Sequence, residues 1–327
     1  MRLLVTGGAG FIGSNFIRSM LNKYQDIQIT NLDKLTYCGN LENLKDVEKN
    51  KNYKFVKGDI ADKELVAKLM KETDEVVHFA AETHVDRSLH NAEEFLQTDV
   101  VGTFVLLEEA RKNNVKKFVQ ISTDEVYGHI LEGEFSEESV LNPRNPYSAA
   151  KAAADRLAYA FSETYGLNVS ITRASNNFGA YQFPEKVIPL FATNLIQGKK
   201  VPLYGEGKNI RDWLYVLDNC EAVDLVRRKG AKGEAYNVGG IKEITNKELT
   251  MHILKLFEKG NEMIEFVPDR LGHDLRYSLN CEKIKELGWK PKHEFDSALK
   301  QTIDWYKSNE HWWKPLIEKA KFKRVTA

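Results

Sequence analysis

The chain has 327 residues, enough for one large domain or two smaller ones with an ample core. Lysine plus arginine and aspartate plus glutamate each total 47, so no net field draws it to nucleic acid or to an anionic membrane surface. Cys38, Cys220 and Cys281 fit neither a disulfide framework nor a zinc knuckle, no signal peptide or apolar run near ~18 residues is present, and a cytoplasmic protein is expected.

In chain order, Leu3, Leu4 and Val5 stand in a row and predict a buried strand over residues 3–6. Gly7, Gly8, Ala9 and Gly10 break it, and Phe11, Ile12, Phe16 and Ile17 resume at helical spacing. Strand, glycine turn and helix form the layout in which backbone N–H groups at a helix N-terminus meet a pyrophosphate. Gly7 permits the tight turn, Gly10 a close phosphate approach and Gly13 close helix–strand packing. Alone, these glycines would suit any tight βα turn. A second strand over residues 27–32 delivers Asp33 where an acid accepts the adenosine ribose hydroxyls and repels a 2′-phosphate. Gly58, Asp59 and Ile60 end a third run where they would face an adenine. Together these features predict NAD rather than NADP as cofactor.

Strands are predicted at residues 54–57, 75–79, 117–122 and 169–173, with helices at 13–23, 63–72, 92–113 and 147–165. That rhythm argues an α/β fold with a Rossmann-type doubly wound parallel sheet, because parallel strands need helical crossovers. After residue 175 the rhythm loosens, and Gly179, Pro184, Pro189, Gly198, Pro202 and Gly205 punctuate residues 176–207. Further strands are predicted at 211–217 and 234–238. The expected organisation is an NAD-binding domain of residues 1–175 and about 211–240, with a smaller mixed α/β C-terminal substrate lobe of about 176–210 and 241–327. The basic end, Lys321, Lys323 and Arg324, reads as a solvated tail.

Tyr147 and Lys151 open an alanine-rich helix, and a spacing of four puts them one turn apart on one face. An ammonium beside a phenol favours phenolate, so the tyrosine pKa is expected to fall from its usual ~10 toward working pH. Such pairs also occur on plain helices; the Asn145-Pro146 breaker before it and the upstream glycine motif favour catalysis. Ser122, Thr123, Asp124 and Glu125 end the fifth predicted strand. A polar loop capping a strand would look alike, but adjacent carboxylates beside a nicotinamide are costly unless they work. One could be held protonated as an acid while the other serves as a base. Thr123 offers a hydroxyl to a substrate oxygen next to Tyr147. A phenol and a hydroxyl suffice for epimerisation or alcohol oxidation, whereas an added acid and base imply elimination of water.

The chain resembles the extended short-chain dehydrogenase/reductase family over nearly its whole length, and within it the dTDP-glucose 4,6-dehydratases. The carrying motifs are TGGAGFIG, AAETHVDRS, STDEVYG, YSAAK, NNFGAYQFPEKVIP, RDWLYV and DRLGHD. The resemblance implies that Tyr147 takes the proton of the sugar 4-hydroxyl while NAD takes the C4 hydride. Glu125 then removes the C5 proton, Asp124 protonates the departing 6-hydroxyl, and the hydride returns to C6. It also implies a sugar nucleotide, dTDP-glucose, as substrate, deoxysugar (rhamnose) synthesis as setting, and a homodimer built on two helices per subunit. Leu96, Val100, Phe104 and Leu107 would supply the apolar stripe of one such helix.

The same resemblance places Phe11, Ile12, Asp33, Lys34, Leu35, Thr36, Asp59 and Ile60 on the cofactor, with Ala80, Ala81, Glu82, Thr83, Thr98 and Asn177. Tyr147 and Lys151 touch it as well. On the substrate side it carries over Thr83, Thr123, Asn176, Lys186, Val187, Pro202, Leu203, Tyr204, Arg211 and Asn246. Asp269, Arg270, Leu271, Gly272 and His273 complete that set, and Arg276 is expected to add a phosphate contact. Arg211 and Lys186 are cations suited to a diphosphate. No metal site is expected, since neither His84 nor His273 has a second ligand at metal-binding spacing. Leu271, where the family usually has proline, and His129 depart from the pattern. A UDP-sugar 4-epimerase, a UDP-glucose 4,6-dehydratase and a non-catalytic NAD-binding regulator stand beside the leading reading. The Asp124-Glu125 pair opposes the first, and no motif reads thymine against uracil.

Overall fold

The computed structural model describes residues 1–240, 242–269 and 273–320. The chain begins with β1 (Arg2–Thr6), α1 (Phe11–Lys23), β2 (Gln28–Asp33), β3 (Tyr53–Lys57), α2 (Lys63–Met70) and β4 (Glu75–His78). Then come α3 (Val85–His90), α4 (Ala92–Phe95), a π-helical stretch (Leu96–Gly102), α5 (Thr103–Lys112), β5 (Lys117–Thr123), α6 (Pro146–Tyr165) and β6 (Val169–Ala174). Beyond it lie β7 (Asn176–Phe178), α7 (Val187–Ile196), β8 (Val201–Tyr204), β9 (Ile210–Tyr215), α8 (Val216–Lys229) and β10 (Ala235–Val238). The last elements are β11 (Glu243–Thr245), α9 (Asn246–Leu256), β12 (Ile264–Val267), α10 (Glu282–Glu286), α11 (Phe295–Ser308) and α12 (Glu310–Ala320).

A seven-stranded sheet runs in the order β10-β6-β5-β4-β1-β2-β3, and every pairing in it is parallel. Alternation along β1 splits its side chains between two covered faces. Leu3 and Val5 join Phe16, Ile17 and Met20 of α1 and Val223 and Val226 of α8. Leu4 joins Leu106, Leu107 and Ala110 of α5 and Ala158 and Phe161 of α6 on the opposite side. Strand order reverses between β1 and β4, which opens a crevice at their carboxyl ends. A third core, with Phe178, Trp213, Leu249, Leu299 and Trp313, lies among β7, β9, α9, α11 and α12. No described helix is long and apolar enough to cross a membrane.

Three expectations change. The strand predicted at 211–217 ends at Tyr215, and Leu217 sits in α8, whose next residue, Asp218, takes the Lys292 and His293 amides on its carboxylate. That strand, β9, joins the small sheet β11-β9-β7 rather than the large one. The single helix predicted over 92–113 is instead α4, a π-helical stretch and α5, with the Thr103 hydroxyl donating to the Asp99 carbonyl at 2.5 Å. Leu107 consequently belongs to the core, while Leu96 and Phe104 are exposed. The basic tail and residues Arg270, Leu271 and Gly272 lie outside the described residues.

Candidate active site

A cavity of about 230 Å³ opens at the crevice between β1 and β4. Gly7 holds φ +70°, and a Cβ there would come within 2.5 Å of the Ala80 nitrogen. On Gly13 a Cβ would come within 2.4 Å of the Gly7 oxygen, so α1 can sit this close to the turn only without one. α1 starts from Gly10 with no side-chain cap. The first-turn amides of Phe11, Ile12 and Gly13, on the cavity wall, therefore remain available to an anion. Asp33 is fixed at the same wall, its carboxylate accepting the Ala9 amide at 2.9 Å and the Leu35 amide at 2.8 Å. Burial raises its pKa while those two amides oppose the rise. Lys34 pairs with Asp59 at 2.7 Å. Thr36, Ile60, Ala80, Ala81, Glu82, Thr83, Thr98 and Lys151 complete the wall on the residues predicted for it. An anion cradle followed by a fixed carboxylate is a donor set that fits NAD.

A second cavity, of about 440 Å³, adjoins the first. Glu125, Tyr147, Asn176, Lys186 and Val187 line its near part; Pro202, Leu203, Tyr204, Arg211, Asn246 and His273 line the remainder. Arg211 lies 4.5 Å over the Tyr277 ring and donates to the Asp274 carbonyl at 2.9 Å. Lys186 donates to the Thr83 hydroxyl at 3.5 Å, and His273 is 2.6 Å from Asp269. Tyr147, Glu185 and Lys186 border both cavities and form the partition between them.

The chemistry-bearing groups are delivered by two capped turns. At the end of β5 the Thr123 hydroxyl accepts the Glu125 amide at 3.3 Å and donates to Asp124 at 3.0 Å. At the start of α6, Asn145 and Ser148 form a capping box and Pro146 occupies the first turn, which fixes Tyr147 and Lys151 next to β5. Lys151 donates to the Ile121 carbonyl at 2.7 Å. Asp124 is 2 % exposed, and its Oδ2 finds no protein partner among the described residues. Burial and then the neighbouring Glu125 push its pKa up to about 8, against the Thr123 hydrogen bond and Arg211. Asp124 is therefore a carboxylic acid at neutral pH.

The expected lowering of the Tyr147 pKa does not occur. Burial raises it well above 10, and Glu125, Asp99 and Asp124 add to the rise, with only a Thr123 hydrogen bond opposing them. The phenol stands among carboxyl groups that oppose a second negative charge, and Lys151, itself lowered by burial, does not offset them. Arg276, expected to add a phosphate contact, is held at the Glu243 side chain. It forms a forked pair with Glu243 at 2.9 and 3.1 Å and donates to the Gly133 carbonyl.

The family model described as GDP-mannose 4,6 dehydratase matches residues 4–302. A dTDP-glucose 4,6-dehydratase of Streptomyces niveus is 53% identical over 321 residues, covering 97% of this chain and 96% of the relative. The crystal structure of a dTDP-glucose 4,6-dehydratase from Streptomyces venezuelae, with NAD and TDP bound, is 49% identical with a TM-score of 0.95. It covers 97% of this chain and is itself covered in full. The chain belongs to the dTDP-glucose 4,6-dehydratase family.

Measured against that family's expected site, Leu35, Thr123, Asp124, Asn177 and Asp269 stand outside both cavity walls. Thr123 and Asp124 lie directly behind the wall, in contact with Glu125. Asn177 donates instead to the Ser175 carbonyl at 2.9 Å. Sequence reasoning missed His84, Asp86, Glu185 and Tyr277 on the substrate wall and Cys38, Gln182 and Phe183 on the cofactor wall. His84 and Asp86 belong to the quoted AAETHVDRS motif and Glu185 to the EKVIP stretch, so the motifs themselves held that signal. No group of three or more His, Cys, Asp or Glu side chains placed to hold a metal ion occurs among the described residues.

Proposed function

We propose that this chain removes water from dTDP-glucose to give dTDP-4-keto-6-deoxyglucose, keeping NAD bound through the cycle. The reading is carried by one relationship: Tyr147 borders both cavities, with Glu125 beside it in the larger and Lys151 beside it in the smaller. The first-turn amides of α1 would hold the pyrophosphate of NAD, Asp33 its adenosine ribose and Lys151 its nicotinamide ribose. When bound there, NAD supplies the hydride acceptor for C4 and the hydride donor for C6.

The residues of the chain carry the protons. Tyr147 would take the proton of the sugar 4-hydroxyl as a phenolate, a form that burial and the surrounding carboxyl groups oppose and that the positive charge of bound NAD would favour, with the Thr123 hydroxyl alongside to hold the substrate oxygen. A ketone at C4 makes the C5 proton acidic, and Glu125 takes it. Asp124, protonated at neutral pH, gives its proton to the 6-hydroxyl as water leaves. Glu125 returns its proton to C5, and the proton that Tyr147 took from the 4-hydroxyl replaces the one Asp124 gave, so the net change is loss of one water. Lys186 and Arg211 are the cations for the diphosphate, and Pro202, Leu203, Tyr204, Asn246 and His273 would receive the nucleoside. An epimerase would leave the Asp124-Glu125 pair without a task.

The chain would act as a homodimer through the exposed Leu96, Val101, Phe104, Tyr159 and Tyr165 of the π-helical stretch, α5 and α6. We place it in the cytoplasm, where Cys38, Cys220 and Cys281 stay reduced, and assign its product to deoxysugar synthesis of the rhamnose type. The test is turnover of dTDP-glucose and UDP-glucose side by side, scored for loss of water and for the alkali-absorbing 4-keto product. Water loss from dTDP-glucose without consumption of added NAD supports the reading. A C4 epimer, or no water loss from either sugar, overturns it.

A further inference from the structure

Arg211 stands on the wall of the larger cavity, and the groups that hold it converge on a buried carboxylate behind that wall. Asp274 is 1 % exposed and lines neither cavity. Its Oδ1 accepts the Arg144 guanidinium at 2.9 Å, and its Oδ2 accepts the Tyr277 hydroxyl at 2.6 Å. Burial, and then the Glu125 charge, raise the Tyr277 pKa well above 10, so the phenol keeps the proton it donates. Tyr277 is itself on the wall of the larger cavity, and the Arg211 guanidinium lies 4.5 Å over its ring.

The same short segment fixes Arg211 from a second direction. Arg211 donates to the carbonyls of Asp274 at 2.9 Å, Leu275 at 3.3 Å and Ile210 at 2.7 Å. The Ile210 amide donates to the Leu275 carbonyl at 2.7 Å and the Asn209 side chain to the Asp274 carbonyl at 3.2 Å, which sets this backbone against the start of β9. On the far side of the carboxylate, Arg144 immediately precedes the Asn145 cap of α6 and also donates to His129. His129 follows Gly128, where the turn of Asp124–Tyr127 ends, and lies 3.6 Å from the Asp274 carboxylate. Asp274 is therefore gripped from the segment that leaves the acid–base turn, from the one that enters the tyrosine helix, and from Tyr277, the platform under Arg211.

We infer that Asp274 is a positioning residue for the substrate diphosphate: it clamps the Tyr277 ring and the backbone of residues 274–275 beneath Arg211, so that the guanidinium is aligned before the diphosphate arrives. An unrestrained arginine gives up rotamer freedom when it takes a phosphate, whereas one stacked and hydrogen-bonded in advance has little left to lose. Fork geometry matters as much, because a guanidinium engages two phosphate oxygens only when its plane is correctly turned. Part of the strength of substrate binding is thus set by a side chain that touches no substrate. The inference rests on the reading of Arg211 as a cation for the diphosphate.

Asp274→Asn tests it, since one carboxylate oxygen becomes an N–H donor that must face either Arg144 or the Tyr277 hydroxyl, both donors themselves. The dissociation constant of TDP, measured by calorimetry on the chain saturated with NAD, should rise about tenfold. The same substitution in an Arg211→Lys background should add less than about twofold, because the fork through which Asp274 acts is already gone. An equal factor in both backgrounds would mark a general loosening of the lobe and overturns the inference, as does an unchanged TDP affinity in Asp274→Asn. Arg144→Ala, at an exposed side chain, removes the other hydrogen bond of the carboxylate and carries the same cycle, with the same two outcomes against the inference, if Asp274→Asn does not fold. A wild-type chain that binds no TDP overturns the diphosphate reading of Arg211 and the inference with it. Binding of TDP without loss of water from dTDP-glucose overturns the dehydratase reading alone, and the cycle still decides the role of Asp274.

Discussion

The Arg87 guanidinium lies 3.6 Å from the centroid of the Tyr37 ring, and both side chains are bonded to Glu185. Arg87 donates to Glu185 Oε2 at 2.9 Å, and the Tyr37 hydroxyl donates to Oε1 at 2.7 Å. Three segments far apart in the chain, those after β2, after β4 and before α7, thus meet at the partition between the cavities. Arg87→Ala leaves the buried Glu185 carboxylate without its cation, at a cost of about 2–3 kcal/mol. NAD should then be lost during gel filtration, with a lower Tm; full retention of NAD would show that the partition does not depend on this contact.

Glu125→Gln keeps the size of the side chain and removes the base. Oxidation at C4 should continue while elimination falls by roughly 10²–10⁴-fold. Mass spectrometry of quenched reactions should then find the 4-keto sugar with its 6-hydroxyl intact. An undiminished rate of water loss would take Glu125 out of its assigned task.

Asp124 must enter the elimination step protonated, and its pKa lies at about 8. The acid form is therefore lost as pH rises through that value, and the rate of water loss should decline above about pH 8. In Asp124→Asn the rate should be lower at every pH by roughly 10²–10⁴-fold, with the alkaline decline due to this group gone. A profile unchanged in Asp124→Asn would assign the proton donor elsewhere.

Arg173, 1 % exposed, holds Asp155 of α6 through two bonds of 2.9 and 3.0 Å and also donates to the Tyr127 hydroxyl. Arg173→Ala leaves that carboxylate buried and short of its cation, at a cost of about 3–5 kcal/mol. Despite burial, Arg173 and Arg156 hold the Asp155 pKa below its ordinary 3.8. The stabilisation is present above that value and is lost as pH falls through the lower folded value. The Tm gap between wild type and variant should therefore be widest near neutrality and narrow below about pH 4.

Local patterns carried the sequence reading as far as short-range physics reaches. The glycine turn, Asp33 and the four-residue spacing of Tyr147 and Lys151 are each set within a few residues of themselves, and the structure places all of them on cavity walls. The π-helical stretch was not legible, because the apolar period of residues 92–113 suits a continuous α-helix. The proton affinity of Tyr147 could not be read either. Lys151 is visible four residues away, whereas the burial that raises the phenol and the Glu125 and Asp99 charges that add to it come from the folding of other elements around it. The Tyr37–Arg87–Glu185 contact joins positions up to 148 residues apart, and no local pattern announces it.

The backbone leaves the seven-stranded sheet after β6 for β7, rejoins it through α8 and β10, and departs again for β11. A swivel needs one narrow neck; here three covalent threads join the halves. Parting the two chambers would mean sliding strands and helices past each other, not bending a stalk. A cut after residue 175 would part β10 from the other six strands of the large sheet.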